Sequence, residues 1–551
     1  MSGQPPVDPR LEAPNQSSEL VDYNLYTSNP ALQNALLSNG GGAEHAGLVA
    51  LGAELGTAEM FALGDAANRY PPTLKLFDRF GNRRDEVEFH PAWHALMARL
   101  VAAGLHTSPW DGSGRITHRA RAAGYLLWSE VENGTQCPAT MTYGAVPPLM
   151  RQAGDFKDWL PRLLAREYDR RFVPVSHKSG VLMGMGMTEK QGGSDVRSNT
   201  TRASPAERSG PGQEYRLNGH KWFFSAPMCD AFLVLAQSPG GLACFFVPRF
   251  QPDGRLNGIR LQRLKDKMGN RSNASTEVQL EDAYGVLVGE EGRGIPTILE
   301  MGVYTRLDNA IGSTGLMRQC VSQAIHHARQ RRAFGERLID QPLMRNVLAD
   351  LALECEAAIL LIMRLASAFD APASEEETLL RRVLTPAAKY WLCKRAPTVC
   401  AEAMEVLGGN GYVEEGPIAR RLRESPLNSI WEGSGNIMCL DVLRALSREP
   451  RSLDALIALL DAARGLNTGY DRFVGRLLAE LADPADTQVR ARRITESIAL
   501  AVQSSLLIHH ASQSSSEAFV ISRLEAGAPA AFGALPRGAP FGSLIERTFS
   551  P

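Results

Sequence analysis

The chain of 551 residues has no excess of either charge, since 59 Lys and Arg stand against 60 Asp and Glu for a net of −1. A polybasic nucleic-acid coat and an acidic tail are both excluded for the chain as a whole, so any anion binding must come from local arrangement. Lysine itself is scarce, with nine residues, and arginine carries most of the positive charge. The eight cysteines are scattered, mostly in apolar runs, and none forms a Cys-x-x-Cys pair. That excludes a disulfide framework, fits buried thiols in a reducing cytosol, and leaves no metal site to expect. No run approaches the roughly 18–20 uninterrupted apolar residues of a membrane helix, so no membrane partner is expected. Residues 1–20 carry Pro5, Pro6, Pro9 and Pro14 in polar filler, neither a signal h-region nor an amphipathic transit peptide. They read as a flexible tail, and the expected location is the cytoplasm. Internal repeats and long low-complexity segments are also missing.

What is present can bury a sizeable core, for 44% of the residues are hydrophobic and the length suggests three or four domains at roughly 100–200 residues each. Residues 21–181 are mostly helical in pattern, with breaks at Gly40-Gly41-Gly42, Pro71-Pro72 and Pro147-Pro148. The period changes over 182–290. Asn218-Gly219 between Tyr215-Arg216-Leu217 and Lys221 to Phe224 predicts a tight hairpin, and short apolar runs at Ala231 to Ala236, Leu242 to Val247, Ile259 to Leu264 and Thr276 to Leu280 complete a β-domain of about six strands. Helical periodicity returns over 291–446, where Met344, Leu348, Leu351, Cys355, Ile359 and Ile362 mark one face of a bundle helix. Residues 447–551 predict a further helical domain, irregular from Ala526 to Pro540. The fold class expected is multidomain and mainly α with a central β-barrel or sandwich.

Three segments carry chemistry. Met187-Thr188-Glu189-Lys190-Gln191-Gly192-Gly193-Ser194-Asp195 lies where helix gives way to sheet; its adjacent glycines let backbone N–H groups approach an anion, and its hydroxyls suit a heterocycle or phosphate. On spacing alone a glycine turn between domains is the stronger reading. Lys221-Trp222-Phe223-Phe224-Ser225 alternates, with Trp222 and Phe224 on one face and Phe223 and Ser225 on the other, which suits a ring system or an ordinary strand core. Trp431-Glu432-Gly433-Ser434 precedes an apolar-striped helix. A carboxylate buried there would have a raised pKa and could act as base on a carbon acid; a helix cap at Ser434 with a solvated Glu432 fits as well.

In order and separation these segments resemble the acyl-CoA dehydrogenase family of flavoproteins over roughly Leu182 to Leu446. Met187 to Asp195 is similar to the family's flavin segment, with Met187, Thr188, Gly193 and Ser194 at cofactor-contacting positions. Leu217 to Ser225 is similar to its second flavin strand, with Phe223 near the ring and Ser225 near N5. Arg331-Arg332-Ala333-Phe334-Gly335 resembles the segment whose Arg331 and Phe334 positions reach FAD across a subunit interface. Gly408-Gly409-Asn410-Gly411-Tyr412 resembles a second dinucleotide element, through Gly409. Ile430-Trp431-Glu432-Gly433-Ser434, with Asn436, resembles the segment that combines cofactor contacts with the catalytic glutamate, here Glu432; Arg306 matches a family arginine near the active site. Trp431 replaces the usual Tyr, and Glu405 stands where the family has an FAD-contacting Gln.

Several runs, among them Lys265-Asp266-Lys267-Met268-Gly269-Asn270-Arg271-Ser272-Asn273-Ala274-Ser275, and the hundred residues beyond Leu446 resemble the alkylation-response branch of that family. The resemblance implies an FAD-containing homotetramer of the adaptive response to DNA alkylation. Such a protein binds double-stranded DNA through its C-terminal domain, protects it from or inactivates alkylating agents, and retains weak isovaleryl-type dehydrogenase chemistry on an acyl-CoA. A metabolic branched-chain dehydrogenase is the alternative. From Asp441 to Pro551 twelve Arg balance twelve Asp and Glu with no Lys, so bulk charge does not argue for DNA. The clusters Arg444, Arg448 and Arg490, Arg492, Arg493 are the candidate phosphate contacts.

Overall fold

A computed structural model describes residues 15–114, 116–525 and 531–551. The N-terminal helices are α1 (Pro30–Ser38), α2 (His45–Leu55), α3 (Ala58–Arg69), α4 (Pro91–Ala102), α5 (His118–Ser129) and α6 (Gln136–Met150). Local chemistry sets their starts. Thr57 and Thr117 accept the N–H of Met60 and Ala120, and Pro91 opens α4 where a missing N–H costs nothing. The prolines at 147 and 148, expected to break the chain, sit inside the last turn of α6. Between α3 and α4 the expected helical pattern is interrupted by an antiparallel hairpin, β1 (Thr73–Phe77) with β2 (Arg83–Glu88).

The middle of the chain forms β3 (Met183–Thr188), β4 (Arg202–Pro205), β5 (Glu214–Ser225), β6 (Ala231–Ser238), β7 (Gly241–Pro248), β8 (Ile259–Leu264) and β9 (Ser275–Val288). These are seven strands where about six were expected. The pairings β3–β5, β5–β9, β9–β7, β7–β6 and β6–β3 run in a closed circle, a barrel, with β8 added on β9. The hairpin predicted at Asn218-Gly219 does not occur. Strand β5 runs straight through, and Gly219, at φ +152°, marks a register shift opposite β9. A Cβ at that position would lie 2.6 Å from Thr201, so the glycine serves a close approach of β5 to a neighbouring segment rather than a turn.

The long helices α7 (Gly294–Gln330), α8 (Pro342–Phe369), α9 (Glu375–Val406) and α10 (Gly435–Arg448) follow, with α9 packed along α7 and against α8 and α10. Helices α5 and α6 lie on α7, and buried ion pairs fasten α5 and its C-cap to it: Arg121 to Asp308 at 2.6 Å, and Arg318 to Glu130 at 2.6 Å. Beyond α10 come α11 (Arg451–Asp461), α12 (Thr468–Ala482), α13 (Thr487–His510) and α14 (Phe541–Thr548). They wrap the bundle rather than standing apart. Helix α13 packs on α8, α9 and α10, α11 on α9, and α14 on α8 and α1. The Ser550 N–H donates to Ser28 O at 3.0 Å, and Arg318 Nη2 reaches the same carbonyl at 2.9 Å, so the segment before α1 and the segment after α14 meet over α7.

Of the tail expected over 1–20, residues 1–14 lie outside the described residues. Residues 15–20 are docked: Asn15 bonds the Arg332 backbone in both directions, at 2.6 and 2.9 Å, and Ser17 meets His327 Nδ1 at 2.9 Å. The irregular stretch expected over 526–540 has 526–530 outside the described residues; 531–540 hold no helix or strand. Among the described residues no single helix is long and apolar enough to cross a membrane.

Candidate active site

Strand pairing brings together two segments that lie some thirty residues apart in sequence. Thr188 stands opposite Phe223, and Met185 opposite Ser225, across the β3–β5 ladder. Phe224 is turned into the core while Phe223 is 49% exposed, so the strand offers one aromatic face outward. Trp222 lies under Lys265, whose Nζ is 3.4 Å from the ring centroid. After Thr188 the chain turns through Gly192 and folds Gly193 back so closely that a Cβ there would meet Thr188 Oγ1 at 2.5 Å. Ser194 lies exposed beyond that turn. This is a tight cradle of hydroxyls and backbone beside an outward aromatic ring.

Beneath the cradle is an ion pair that the sequence reading missed. Glu189 and Lys221 are fully buried and 2.8 Å apart. Glu189 also accepts the backbone N–H groups of Thr200 and Thr201 at 2.7 and 3.1 Å, and Lys221 donates to Leu235 O at 2.7 Å. With the Thr200 hydroxyl and the Gln191 amide, five donors on one carboxylate keep it ionised, well below the usual carboxylate range despite its burial, while burial brings Lys221 down to about 8. The pair fastens the segment after β3 to the middle of β5 and β6.

The second part of the site is the loop between Leu427 and α10. Glu432 adopts a left-handed conformation, φ +57°, and Gly433 follows at +106°. A non-glycine residue there carries strain of about 1–3 kcal/mol that its surroundings must hold. They do so by gripping consecutive carbonyls. Buried Lys389 donates to Trp431 O at 3.0 Å and to Gly433 O, and Arg306 Nε donates to Glu432 O at 3.2 Å. Arg306 is fixed in turn by Asp441 at 2.8 Å. The Glu432 side chain accepts from Thr305 Oγ1 at 2.8 Å. Burial raises the Glu432 pKa, with Thr305, Arg306 and Lys389 opposing it, and burial lowers Lys389 to about 8. Trp431 is oriented by Nε1 donating to Asn428 Oδ1 at 2.9 Å. Helix α7 supplies Thr305 and Arg306 to this loop, and Tyr304 to a ring cluster with Trp110 at 5.1 Å and Tyr143 at 5.3 Å.

The remaining sequence-predicted residues lie elsewhere. Arg331 caps the end of α7, and Phe334, at the tip of the turn that follows, is completely exposed with φ +55°. Residues of the docked N-terminal segment join this end of α7 to the second glycine element: Arg331 donates to Asn15 O, and Asn410, beside exposed Gly409, donates to Gln16 at 3.0 Å. Ile430 is 64% exposed. Ser434 begins α10 without a side-chain cap, and exposed Asn436 accepts from Arg492 at 2.9 Å. Glu405 is exposed near the end of α9.

Among the candidate DNA contacts, Arg448 and Arg444 are exposed on α10, the latter 3.2 Å from Asp441. Arg493 is exposed and paired with Glu480 at 2.7 Å. Arg490 departs from the expectation. It is folded back on the carbonyls of Glu480, Asp483 and Ala485 at 3.0, 2.7 and 3.1 Å, where it closes the α12–α13 turn with four of its five N–H donors.

Three family models match the chain: "Adaptive response protein AidB N-terminal domain" over 15–170, "Acyl-CoA dehydrogenase, middle domain" over 184–283, and "Acyl-CoA dehydrogenase, C-terminal domain" over 292–447. The chain is similar to the Putative acyl-CoA dehydrogenase AidB of Escherichia coli (strain K12), 50% identical over 92% of this chain and 93% of that one. It is also similar to Acyl-CoA dehydrogenase family member 11 of Caenorhabditis elegans, 31% identical over 83% of this chain and 79% of the relative. Among solved structures, Caenorhabditis elegans ACDH-11 in complex with C11-CoA superposes with a TM-score of 0.82 at 28% identity, over 92% of each chain.

Proposed function

Because the chain belongs to the acyl-CoA dehydrogenase family, we propose that Glu432 takes the α-proton of a branched, isovaleryl-type acyl thioester, slowly, in a protein whose main work is in the response to DNA alkylation. The observation that carries the chemical part is the state of Glu432: a carboxylate with a pKa raised by burial, aimed by Thr305, on a strained loop gripped by Lys389 and Arg306. Burial makes the carboxyl a better proton acceptor, while Thr305, Arg306 and Lys389 oppose that rise. Holding the loop rigid keeps the oxygen at one position relative to the substrate carbon.

Members of the family bind FAD. The cradle of Thr188, Gly193 and Ser194 beside exposed Phe223 suits that cofactor, because the contact of Gly193 with Thr188 leaves no room for a side chain and presents backbone and hydroxyl outward. Met187 and Ser225 share the same two strands, and Ile430, Trp431, Ser434 and Asn436 are the proposed contacts from the base loop. When bound, FAD supplies the acceptor for the hydride that leaves the β-carbon. Phe334, completely exposed, and Arg331 are proposed to reach the cofactor of a second copy in a homotetramer. The C11-CoA bound by the worm relative supports an acyl-CoA ligand here. Thioester-dependent flavin bleaching tests the assignment: Glu432→Gln should abolish it, and unchanged bleaching would refute the base. A colourless protein that takes up no flavin on reconstitution would refute the cofactor.

The DNA role rests on full-length likeness to a protein named AidB and on the adaptive-response family model. Exposed Arg448, Arg444, Arg492 and Arg493 are the proposed phosphate contacts. A duplex gel shift and a panel of acyl-CoA thioesters on one preparation decide between readings. Strong bleaching without a shift would make this a metabolic branched-chain dehydrogenase.

A further inference from the structure

Between the β1–β2 hairpin, α4 and the loops that follow β5 and β7 lies a cleft of about 650 Å3, its open mouth included. It shares no residue with the flavin-type segments or the base loop. Arg249, the first residue after β7, lines it and is only 4% exposed. Its Nε donates to Cys229 O at 3.0 Å and its Nη1 to Asp85 O at 3.3 Å, while its Nη2, also buried, has no hydrogen-bond partner among the described residues.

Several other buried arginines are neutralised directly, although Arg421, like Arg249, is held by backbone carbonyls. Arg121, Arg318 and Arg306 each hold a carboxylate, at 2.6, 2.6 and 2.8 Å. A buried cation without a counter-charge is costly, by several kcal/mol in a dry site. Arg249 has no carboxylate within ion-pair distance among the described residues. The acids around the cleft are already committed: Asp230 to Lys178 at 2.8 Å, Asp169 to Arg171 at 2.6 Å, and Asp85 to Arg83 at 2.8 Å. Among the buried groups of the cleft Arg249 is therefore the unmatched cation, and two backbone carbonyls fix its plane and leave Nη2 as its one unused end.

The walls are aromatic. Phe172 lies 5.3 Å from the guanidinium carbon and 5.2 Å from Phe250, and Phe89 stacks on Trp93 at 4.0 Å. Tyr168 and His94 bond each other at 2.8 Å, and burial, with the nearby Arg170 charge, keeps His94 neutral at ordinary pH. We propose that this cleft binds a small monocarboxylate with an aromatic body, the carboxylate on Arg249 Nη2 and the ring against Phe172 and Trp93. A dianion is disfavoured, because the Asp230 and Asp85 carboxylates stand close to the buried guanidinium, while the exposed Arg170 lies at the rim.

Isothermal titration of the full-length protein with benzoate tests this, with inorganic phosphate as the contrasting anion. Benzoate should bind at millimolar concentration or below and phosphate should not. Arg249→Met should weaken benzoate by at least about tenfold, the worth of one charge-assisted hydrogen bond. Phe172→Ala removes a wall without touching the guanidinium, so it decides the matter if the Arg249 variant does not fold; it should weaken benzoate severalfold. No benzoate binding by the wild type, equal binding by both folded variants, or phosphate binding as tight as benzoate would each overturn the proposal.

Discussion

Thr305 Oγ1 lies 2.8 Å from Glu432 Oε2, and the next residue, Arg306, donates to the Glu432 carbonyl at 3.2 Å. One turn of α7 thus addresses both ends of the same residue, aiming the carboxylate with one side chain and holding the backbone with its neighbour.

Thr305→Val should shift the pH dependence of thioester-driven bleaching. The hydroxyl donates to the charged form of Glu432, so removing it raises a pKa already elevated by burial. The acid limb of the profile should move to higher pH by up to about one unit, since an ordinary hydrogen bond is worth roughly 0.5–1.5 kcal/mol and one unit about 1.4. A stopped-flow profile with an unmoved acid limb would separate Thr305 from the base.

Gly193→Ala should lower flavin retention. The added methyl would meet Thr188 Oγ1 at 2.5 Å, so the hydroxyl must rotate or the turn must open. Because Gly193 is exposed and not at positive φ, the melting temperature of the apoprotein should change little. The ratio of visible to ultraviolet absorbance after reconstitution reads the effect.

Lys221→Met should be severe, because it leaves Glu189 charged and buried with only neutral donors. Losing one partner of such a pair costs about 3–5 kcal/mol. Thermal melting should fall steeply, and the double variant Glu189→Gln, Lys221→Met should recover part of the loss. A double variant no better than the single one would show that the pair is not coupled.

Acid should weaken the fold before the carboxylates titrate. His106 and His118 are buried, and burial lowers them to about 4 and about 3. Unfolded, each takes up a proton near pH 6.5, so between that pH and the folded values the unfolded chain binds more protons and stability falls as pH falls. By the acid end of its window His106 removes about 3 kcal/mol of stability and His118 about 5. Melting curves at pH 7.5 and 5 should differ, and His106→Asn should narrow the difference.

Arg448→Gln and Arg493→Gln should flatten the salt dependence of duplex binding, each reducing the slope of log K against log salt by about 0.9 if it neutralises one phosphate. Arg490→Gln should instead lower the melting temperature and leave that slope alone, because four of its five donors are taken by three carbonyls.

The sequence made the segments legible and left their partnerships hidden. Met187 to Asp195 and Lys221 to Ser225 are recognisable from glycine, hydroxyl and aromatic order, yet nothing in either announces that Thr188 will stand opposite Phe223. Glu189 is joined to Lys221, and Thr305 to Glu432, by tertiary contacts of 32 and 127 residues' separation. Lys389 did leave a trace, a lysine in an apolar helical run in a chain with only nine lysines. Asn218-Gly219 misled because the same dipeptide that favours a turn also permits a close strand approach, and only the position of Thr201 decides between them. The β1–β2 hairpin was missed because five residues such as Thr73 to Phe77 alternate too briefly to stand out from neighbouring helices. Arg490 was grouped with its neighbours by adjacency, whereas on a helix successive residues point in different directions.

The meeting of Ser550 with Ser28 over Arg318 has a consequence for synthesis. During translation at roughly 5–20 residues per second, α1 emerges about 25–100 seconds before the residues that close over it. Until α14 leaves the ribosome, the apolar faces of α1 and α8 lack their cover and the Arg318 guanidinium lacks one of its carbonyl contacts. A nascent chain stalled before Phe541 should be held by chaperones, and emergence of α14 should mark the moment when protease resistance appears over α1 and α8.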